Sequence, residues 1–274
     1  MKLSCLALLL GSLGLTCGCH TPRVAQPQSE PQLSILTYNV NWGSPRPDLV
    51  VAAILRANAD IVCLQETTPQ WESFLRQNLT RSYPCMQFRN SENRRGGGLG
   101  FLARHPLTEI AYVPSDTGWF DGWIMQADYT IGPIQLLNVH LRPPISDRGG
   151  WVSGYFTTGA NRRQEIEKFF AARAPQLPTL VLGDFNDGEA SPAVQWLESQ
   201  GMINALPQFD RATPTWKWPT SVYTLKRRMD HILYSPELDC TAATVIPAGG
   251  SDHFPVKGVF IRATVAPERT TTLH

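Results

Sequence analysis

The sequence predicts an α/β protein: two mixed β-sheets packed face to face, with helices outside. Three observations carry this. Leu33–Leu64 reads as strand, helix and strand within about 30 residues, a crossover unit that implies parallel pairing. Strand-like runs outnumber helical ones along the rest of the chain, and their spacing requires both polarities of pairing. The 274 residues, 42% hydrophobic and 17% charged, suffice for one large domain with a substantial core, or two at most.

The elements follow in order. Leu33–Asn39 is the first strand, with Leu33, Ile35 and Thr37 on one face. Asp48–Asn58 is helical, with Leu49, Ala53, Ile54 and Leu55 available for a core stripe. The second strand runs from Ile61 and arrives at Gln65–Glu66. Thr68 caps the next helix, Pro69 opens it, and Trp71, Phe74, Leu75 and Leu79 form its apolar stripe. Further strands are expected at Tyr83–Phe88, Leu99–Ala103, Ile110–Val113, Trp123–Tyr129 and Ile134–His140. Leu141–Ala160 is a long loop of the kind that usually serves function. A helix at Asn161–Ala172 turns Ile166, Phe169 and Phe170 inward and precedes the strand Thr179–Gly183. Ser191 caps a helix that Pro192 opens and Gly201 ends. Ala212–Thr224 reads as loop, and Met229–Tyr234 and Val256–Ala263 as strands.

Residues 1–19 read as an export signal: Lys2, then an apolar run from Leu3 to Leu15, too short to span a bilayer comfortably. Cys17 and Cys19 follow, and either offers a lipid-attachment point; Gly18 before Cys19 suits a lipoprotein site, whereas Thr16 stands where leucine is usual. The expected setting is periplasmic, secreted or membrane-anchored. Residues 20–32 form a Pro- and Gln-rich tether, 33–264 the domain and 265–274 a tail. Removing the leader takes only Lys2 from the charge balance and leaves 23 basic against 23 acidic side chains, so no broad basic footprint for nucleic acid exists. Beyond the leader remain Cys63, Cys85 and Cys240; nothing in the spacing requires a pair, although Cys85 and Cys240 could form one in an oxidising compartment.

The stretch Leu180–Asp187, LVLGDFND, organises the functional reading. Asp184 and Asn186 stand two residues apart at the carboxyl end of a buried strand, where extended backbone puts both on one face. Taken alone, an Asx turn leaving a strand explains them equally well. Other strand ends are polar too: Asn39, Glu66, His140, Asp230, and Asp252 with His253. One such ending means little, but a set spread along the whole chain is hard to explain as solvated turns. Glu66 with Asp184 or Asn39 can supply the oxygen ligands of a hard divalent cation. No HExxH or CxxC arrangement supports a zinc site. Asp252 is adjacent to His253 and is expected to turn at the bend toward the ring. His140, Asn186 and the cation would serve the anionic oxygens of a phosphate.

These residues carry a resemblance. TYNVN with Asn39, LQET with Glu66, NVHL with His140, GDFND with Asp184 and Asn186, RRMDHIL with Asp230, and SDHFPV with Asp252 and His253 occur in this order. Together they resemble the endonuclease/exonuclease/phosphatase superfamily over Leu33 to about Ala263. The resemblance implies a four-layer α/β sandwich, a monomer, Mg²⁺ or Mn²⁺, and phosphoester hydrolysis by activated water. It implies metal binding by Glu66, with Asn39 beside it and Asp184 and Asp252 contributing. Asp184 would orient or activate the water, Asn186 position it, His253 contact the phosphate or act as base, His140 steady developing charge, and Asp230 support the site. Nucleic acid is the first substrate expectation; phospholipid head groups or small phosphoesters are the alternative, and an inactive binding module a minor one. Thr68 stands where some nucleases of the superfamily have arginine, and Asp187–Gly188–Glu189 adds negative charge that disfavours polyphosphorylated inositols. Arg94, Arg95, Arg104, Arg142, Arg148, Arg162 and Arg163 are candidates for a local basic groove, and Trp42, Trp119, Trp123, Trp151, Trp216 and Trp218 for stacking or a lipid interface.

Overall fold

Alternation of side chains along the strands creates three apolar layers, and these order the fold. In the computed structural model, which describes residues 30–91, 96–145 and 157–264, β1 (Leu33–Asn39) sends Leu33 and Ile35 to one side and Leu36 and Tyr38 to the other. The first side meets the opposite sheet. The second meets α1 (Pro47–Ala57) and α2 (Pro69–Leu79). The first sheet runs β13 (Leu238–Val245), β14 (Val256–Arg262), β1, β2 (Ile61–Thr67), β4 (Gly98–Ala103) and β3 (Cys85–Arg89). The second runs β5 (Leu107–Val113), β6 (Gly122–Tyr129), β7 (Gly132–His140), β8 (Thr179–Asp184), β12 (Asp230–Tyr234) and β9 (Ile203–Asn204). Its outer face is covered by α3 (Gly159–Ala171) and α4 (Pro192–Ser199). A one-turn helix, α5 (Leu206–Phe209), follows β9. Helix, sheet, sheet and helix make the four-layer α/β sandwich, with Phe101, Trp123, Leu136, Leu182 and Phe260 in the central layer.

Pairing is mixed, as expected: β1 with β2 and β7 with β8 are parallel, the remaining neighbours antiparallel. Thr68 caps α2, its hydroxyl accepting the Trp71 N–H at 3.1 Å, a contact that contributes about 1 kcal/mol. Ser191 likewise accepts from Val194 N–H.

The structure corrects several expectations. The inward stripe of α1 is Val50, Ala53, Ile54 and Ala57, at helical spacing, so Leu49 and Leu55 fall on the exposed side. The Ala212–Thr224 stretch contains β10 (Trp216–Pro219), which pairs with β11 (Thr224–Arg227) in a separate hairpin. β13 escapes periodicity because it is an edge strand, mostly exposed and bulged between Cys240 and Ala242. Cys85 and Cys240 are free and lie on opposite edge strands of the first sheet, about 24 Å apart at the usual strand spacing, so they cannot bridge. The leader with Cys17 and Cys19, most of the tether, the tail, Arg94, Arg95, Arg148, Trp151 and most of the Leu141–Ala160 loop lie outside the described residues. Among the described residues no helix is long and apolar enough to cross a membrane.

Candidate active site

The same alternation that fills the central layer places the site. Along β7, Ile134 and Leu136 face the other sheet, then Asn138, then His140; along β8, Leu180 and Leu182 are followed by Asp184. Asp184 pairs in register with His140 on one side and with Asp230 on the other. Three polar groups thus stand abreast where the inter-sheet layer ends. A buried polar belt separates them from the apolar core: Gln65 Nε2 donates to Asn138 Oδ1 at 2.7 Å, and Asn138 Nδ2 donates to the carbonyls of Leu64 and Gly100. Two backbone features aim the remaining groups. Gly183 has φ +146°, and a Cβ there would sit 1.9 Å from the Val139 carbonyl oxygen, so only glycine lets β8 approach β7 this closely. Glu66 has φ +61° beside a register shift between Gln65 and Thr67. By strand parity it would face the helices; the bulge turns it into the cleft.

Asn39, from the first sheet, reaches across the gap. Its Nδ2 donates at 3.0 Å both to Glu66 Oε1 and to Asp184 Oδ2, while its Oδ1 accepts the Asn41 N–H. Asn39 therefore positions the two carboxylates with its nitrogen. Glu66 Oε2 also accepts the Trp42 N–H. Asp184 Oδ1 accepts the Asn186 N–H at 2.8 Å, and Asn186 Nδ2 donates to the Leu141 carbonyl. Asn186 holds φ +52°, which keeps its side chain on the cleft side of the turn. His253 Nδ1 lies 2.9 Å from Asp230 Oδ2, and its Nε2 lies 3.5 Å from Asp184 Oδ2. His140 Nε2 faces the same Asp184 oxygen at 3.5 Å, and its Nδ1 donates to the Gly96 carbonyl.

The carboxylate that orients His253 is therefore Asp230, not the adjacent Asp252. Asp252 turns away to accept from Asn41 Nδ2 at 2.8 Å and Trp216 Nε1 at 3.1 Å, and so ties the hairpin to the site. Sequence adjacency was misleading because neighbouring residues project to opposite sides of an extended chain.

Electrostatics divide the two histidines. Burial pushes His140 down to about 4, against the pull of Asp184, so its ring is neutral. Burial also pushes His253 down, but Asp230 and Asp184, each attractive, outweigh it and lift the ring to about 10, so it is an imidazolium. Asp184 and Glu66 are both raised, chiefly by burial. Asp184, Asp230 and His253 present atoms within 4.8 Å of one another and form a plausible metal-binding triad.

These groups open into a cleft of about 580 Å³ with Glu66, His140, Asp184, Asn186 and His253 at its floor. The walls are aromatic. Phe120 stacks on His140 with centroids 4.0 Å apart, and Trp216 and Trp218 stack on each other. Trp42 and Leu225 complete the mouth. Phe120 and Leu225 went unrecognised in the sequence, having no periodic or motif signal. Of the tryptophans singled out, Trp123 is core, while Trp42, Trp216 and Trp218 line the cleft. The expected arginine groove is not built by the described arginines. Arg162 is fully buried on Asp187, Arg142 is buried over Trp119, Arg163 pairs with Glu167, and Arg104 pairs with Asp60 where β2 begins, at the opposite end of that strand from Glu66. Arg162 also neutralises Asp187, and Arg228 pairs with Glu189, so those two acids do not charge the cleft as the sequence suggested.

The model of the Endonuclease/Exonuclease/phosphatase family matches residues 36–253, and the chain belongs to that family. No curated protein matches the sequence. Among solved structures, an endonuclease/exonuclease/phosphatase from Beutenbergia cavernae shares 20% identity at a TM-score of 0.66, over 86% of this chain and 73% of that one. D. rerio TDP2 complexed with single-strand DNA product shares 16% at 0.64, over 84% and 98%. The human Nocturnin catalytic domain with bound sulfate shares 18% at 0.61, over 86% and 96%. At these identities the likenesses concern the fold.

The His253–Asp230 contact links stability to pH. A histidine whose folded pKa is raised stabilises fully below its unfolded value of about 6.5, and that stabilisation is lost as pH rises through the folded value of about 10. In metal-free protein, urea unfolding should therefore weaken progressively from neutral to alkaline pH, and Asp230→Asn should flatten that slope. Equal slopes in the two proteins would count against the buried imidazolium.

Proposed function

We propose that this member of the endonuclease/exonuclease/phosphatase family is a divalent-metal-dependent phosphodiesterase acting on nucleic acid, with single-stranded or frayed chain the form that fits. The observation behind this is the exposed Trp218 ring, backed by the buried Trp216 on which it stacks, in the same cleft as Glu66, His140, Asp184, Asn186 and His253. Aromatic platforms beside a phosphate site suit unpaired bases, each worth about 1–3 kcal/mol of stacking.

The donor chemistry fits Mg²⁺ or Mn²⁺. Glu66 and Asp184 are hard oxygen ligands whose negative charge burial makes costly, and both accept from the one Asn39 amide nitrogen. A cation held by Glu66 and Asp184 supplies charge neutralisation at the phosphoryl oxygens. We favour this pair over the Asp184, Asp230 and His253 triad, because His253 and Asp230 are already bonded to each other. Asp252, held by Asn41 and Trp216, borders the same cleft and is the further carboxylate within it.

The chain's own groups then divide the work. Asp184, anchored by the Asn39 and Asn186 N–H groups, orients the water and takes its proton as the water oxygen bonds to phosphorus; the ester P–O bond breaks with its electron pair going to the leaving oxygen, which takes a proton from solvent. His253 donates to a non-bridging phosphate oxygen, its charge held by Asp230. His140, neutral and fixed by Gly96 and Phe120, lines the site across from His253. Asn186 holds the turn that carries it beside the water.

A second reading, hydrolysis of phospholipid head groups or small phosphoesters, is favoured by one observation: the described cleft-lining residues include no lysine or arginine. The leader supports export, with Cys19 or Cys17 as lipid attachment points.

Dialysis against EDTA should abolish hydrolysis of bis-p-nitrophenyl phosphate, and added Mg²⁺ or Mn²⁺ should restore it. His253→Ala and Asp184→Asn should each lower turnover by about 10²–10⁴-fold without altering the circular dichroism spectrum. Full activity after metal removal would overturn the metal assignment. For substrate, parallel assays of single-stranded DNA, plasmid, RNA, sphingomyelin and phosphatidylinositol phosphates decide. Nucleic-acid cleavage should fall steeply with salt while small-ester turnover hardly moves; rapid lipid turnover with no nucleic-acid cleavage moves the assignment to the second reading. Expression with labelled palmitate should mark the wild type and not Cys19→Ala if that cysteine is lipidated; an unlabelled, soluble wild type would leave a secreted enzyme.

A further inference from the structure

A second cavity, about 390 Å³, is bounded by the Asp187–Glu189 turn and by Lys226, Arg227 and Arg228. It adjoins the catalytic cleft along two stretches of chain. Asn186 lines the cleft and Asp187 the cavity; Leu225 lines the cleft and Lys226 the cavity. The partition is thus no thicker than one turn and one β-strand, with successive strand residues about 3.4 Å apart.

The charges in this cavity are unequally used. Asp187 is neutralised from behind by the buried Arg162, at 2.6 and 3.0 Å. Glu189 and Asp210 are paired with Arg228. Lys226 and Arg227 are exposed, and the side-chain bond of Arg227 goes to the Lys226 carbonyl oxygen, which offsets no charge. The cavity therefore presents net positive charge, whereas the adjoining cleft presents aromatic walls over a floor rich in carboxylates. A molecule complementary to both has flat apolar groups and regularly spaced anions along one chain.

Resting on the nucleic-acid reading, we infer that Lys226 and Arg227 form a subsite for a further phosphate of the strand being cut. The substrate is then an oligonucleotide that runs along the hairpin, its bases against the exposed Trp218, which the buried Trp216 backs, and a flanking phosphodiester beyond Trp216, where Arg227 stands opposite that residue in register on the same face. Arg227 offers the planar fork that pairs with two phosphate oxygens, and Lys226, on the opposite face of the strand by register, adds a point charge bordering the same cavity. This adds a lysine and an arginine, which the described cleft-lining residues do not include, to the single imidazolium of His253, and makes chain length, rather than base identity, the feature selected.

The test compares wild type with Lys226→Gln/Arg227→Gln and with the charge-preserving Lys226→Arg/Arg227→Lys. Substrates are bis-p-nitrophenyl phosphate, thymidine 5′-(p-nitrophenyl phosphate) and oligothymidylates of increasing length, with Mg²⁺ at about 50 to 200 mM salt. Wild-type kcat/KM should climb with oligonucleotide length. The Gln pair should lose about tenfold on the longer oligonucleotides, through KM, and its salt slope should be shallower by about 0.7 for each phosphate that is no longer neutralised. Both nitrophenyl esters should be turned over at the wild-type rate, and the charge-preserving pair should keep the length gain. Oligonucleotide kinetics unchanged in the Gln pair, or an equal loss on all substrates, would overturn the subsite while leaving the nucleic-acid reading standing. Turnover of bis-p-nitrophenyl phosphate with no cleavage of any oligonucleotide would overturn that reading and the subsite with it.

Discussion

The amide of Asn39 is shared between Glu66 in its own sheet and Asp184 in the other. It is fully buried, and its oxygen is already committed to the Asn41 N–H, so the nitrogen has no freedom to turn away. Two carboxylates that burial disfavours are thus held near each other by one donor. Removing that buried donor would cost about 1–3 kcal/mol and leave the carboxylates to repel. The positions of Glu66, on a left-handed backbone, and of Asp184, opposite His140 and Asp230, are mutually consistent only while this contact spans the gap.

Around it the charges alternate. His253 stands between Asp230 and Asp184, and His140 faces Asp184 from the other side. Buried ions are expensive unless paired and hydrogen-bonded, and nearly every polar group in the site has such a partner. The belt of Thr37, Gln65 and Asn138 performs the same service one layer deeper. It lets the inter-sheet layer pass from hydrocarbon to charge without an orphaned polar atom among these three residues. The site is preorganised because each member sits on a strand whose register is fixed by that packing.

The aromatic lining of the cleft comes from a different part of the chain. The carboxylates and histidines of the cleft lie at or near strand ends, while Phe120, Trp216, Trp218 and Leu225 arrive on the β5–β6 connection and the β10–β11 hairpin. Asp252 joins the two sets: it follows Ser251, which donates to the Asn39 carbonyl, and accepts from Trp216 on the hairpin. A rigid scaffold with substrate contacts on insertions allows one hydrolytic centre to serve different phosphoesters. Thr68 shows the reverse constraint: it caps α2, and its side chain is spent on the helix.

The layered architecture and the row of polar strand ends that meet in the cleft were legible in the sequence because both depend on local pattern. Period-two alternation in β1, β7 and β8 determines which side chains face inward, so polar residues at the ends of those rows, Asn39, His140 and Asp184, announce a site. The caps Thr68 and Ser191 read correctly for the same reason. Where pattern is weak, the sequence misled: the bulged edge strand β13, the β10–β11 hairpin, and the α1 stripe, for which it pointed to Leu49 and Leu55 in place of Val50 and Ala57. Only the tertiary structure decided partners. It matched His253 with Asp230 rather than Asp252, buried Arg162 against Asp187, and put Cys85 and Cys240 on opposite edges. Periodicity along one strand specifies which face a side chain occupies. What it meets there depends on which distant strand is docked opposite, and that is set by packing between the sheets.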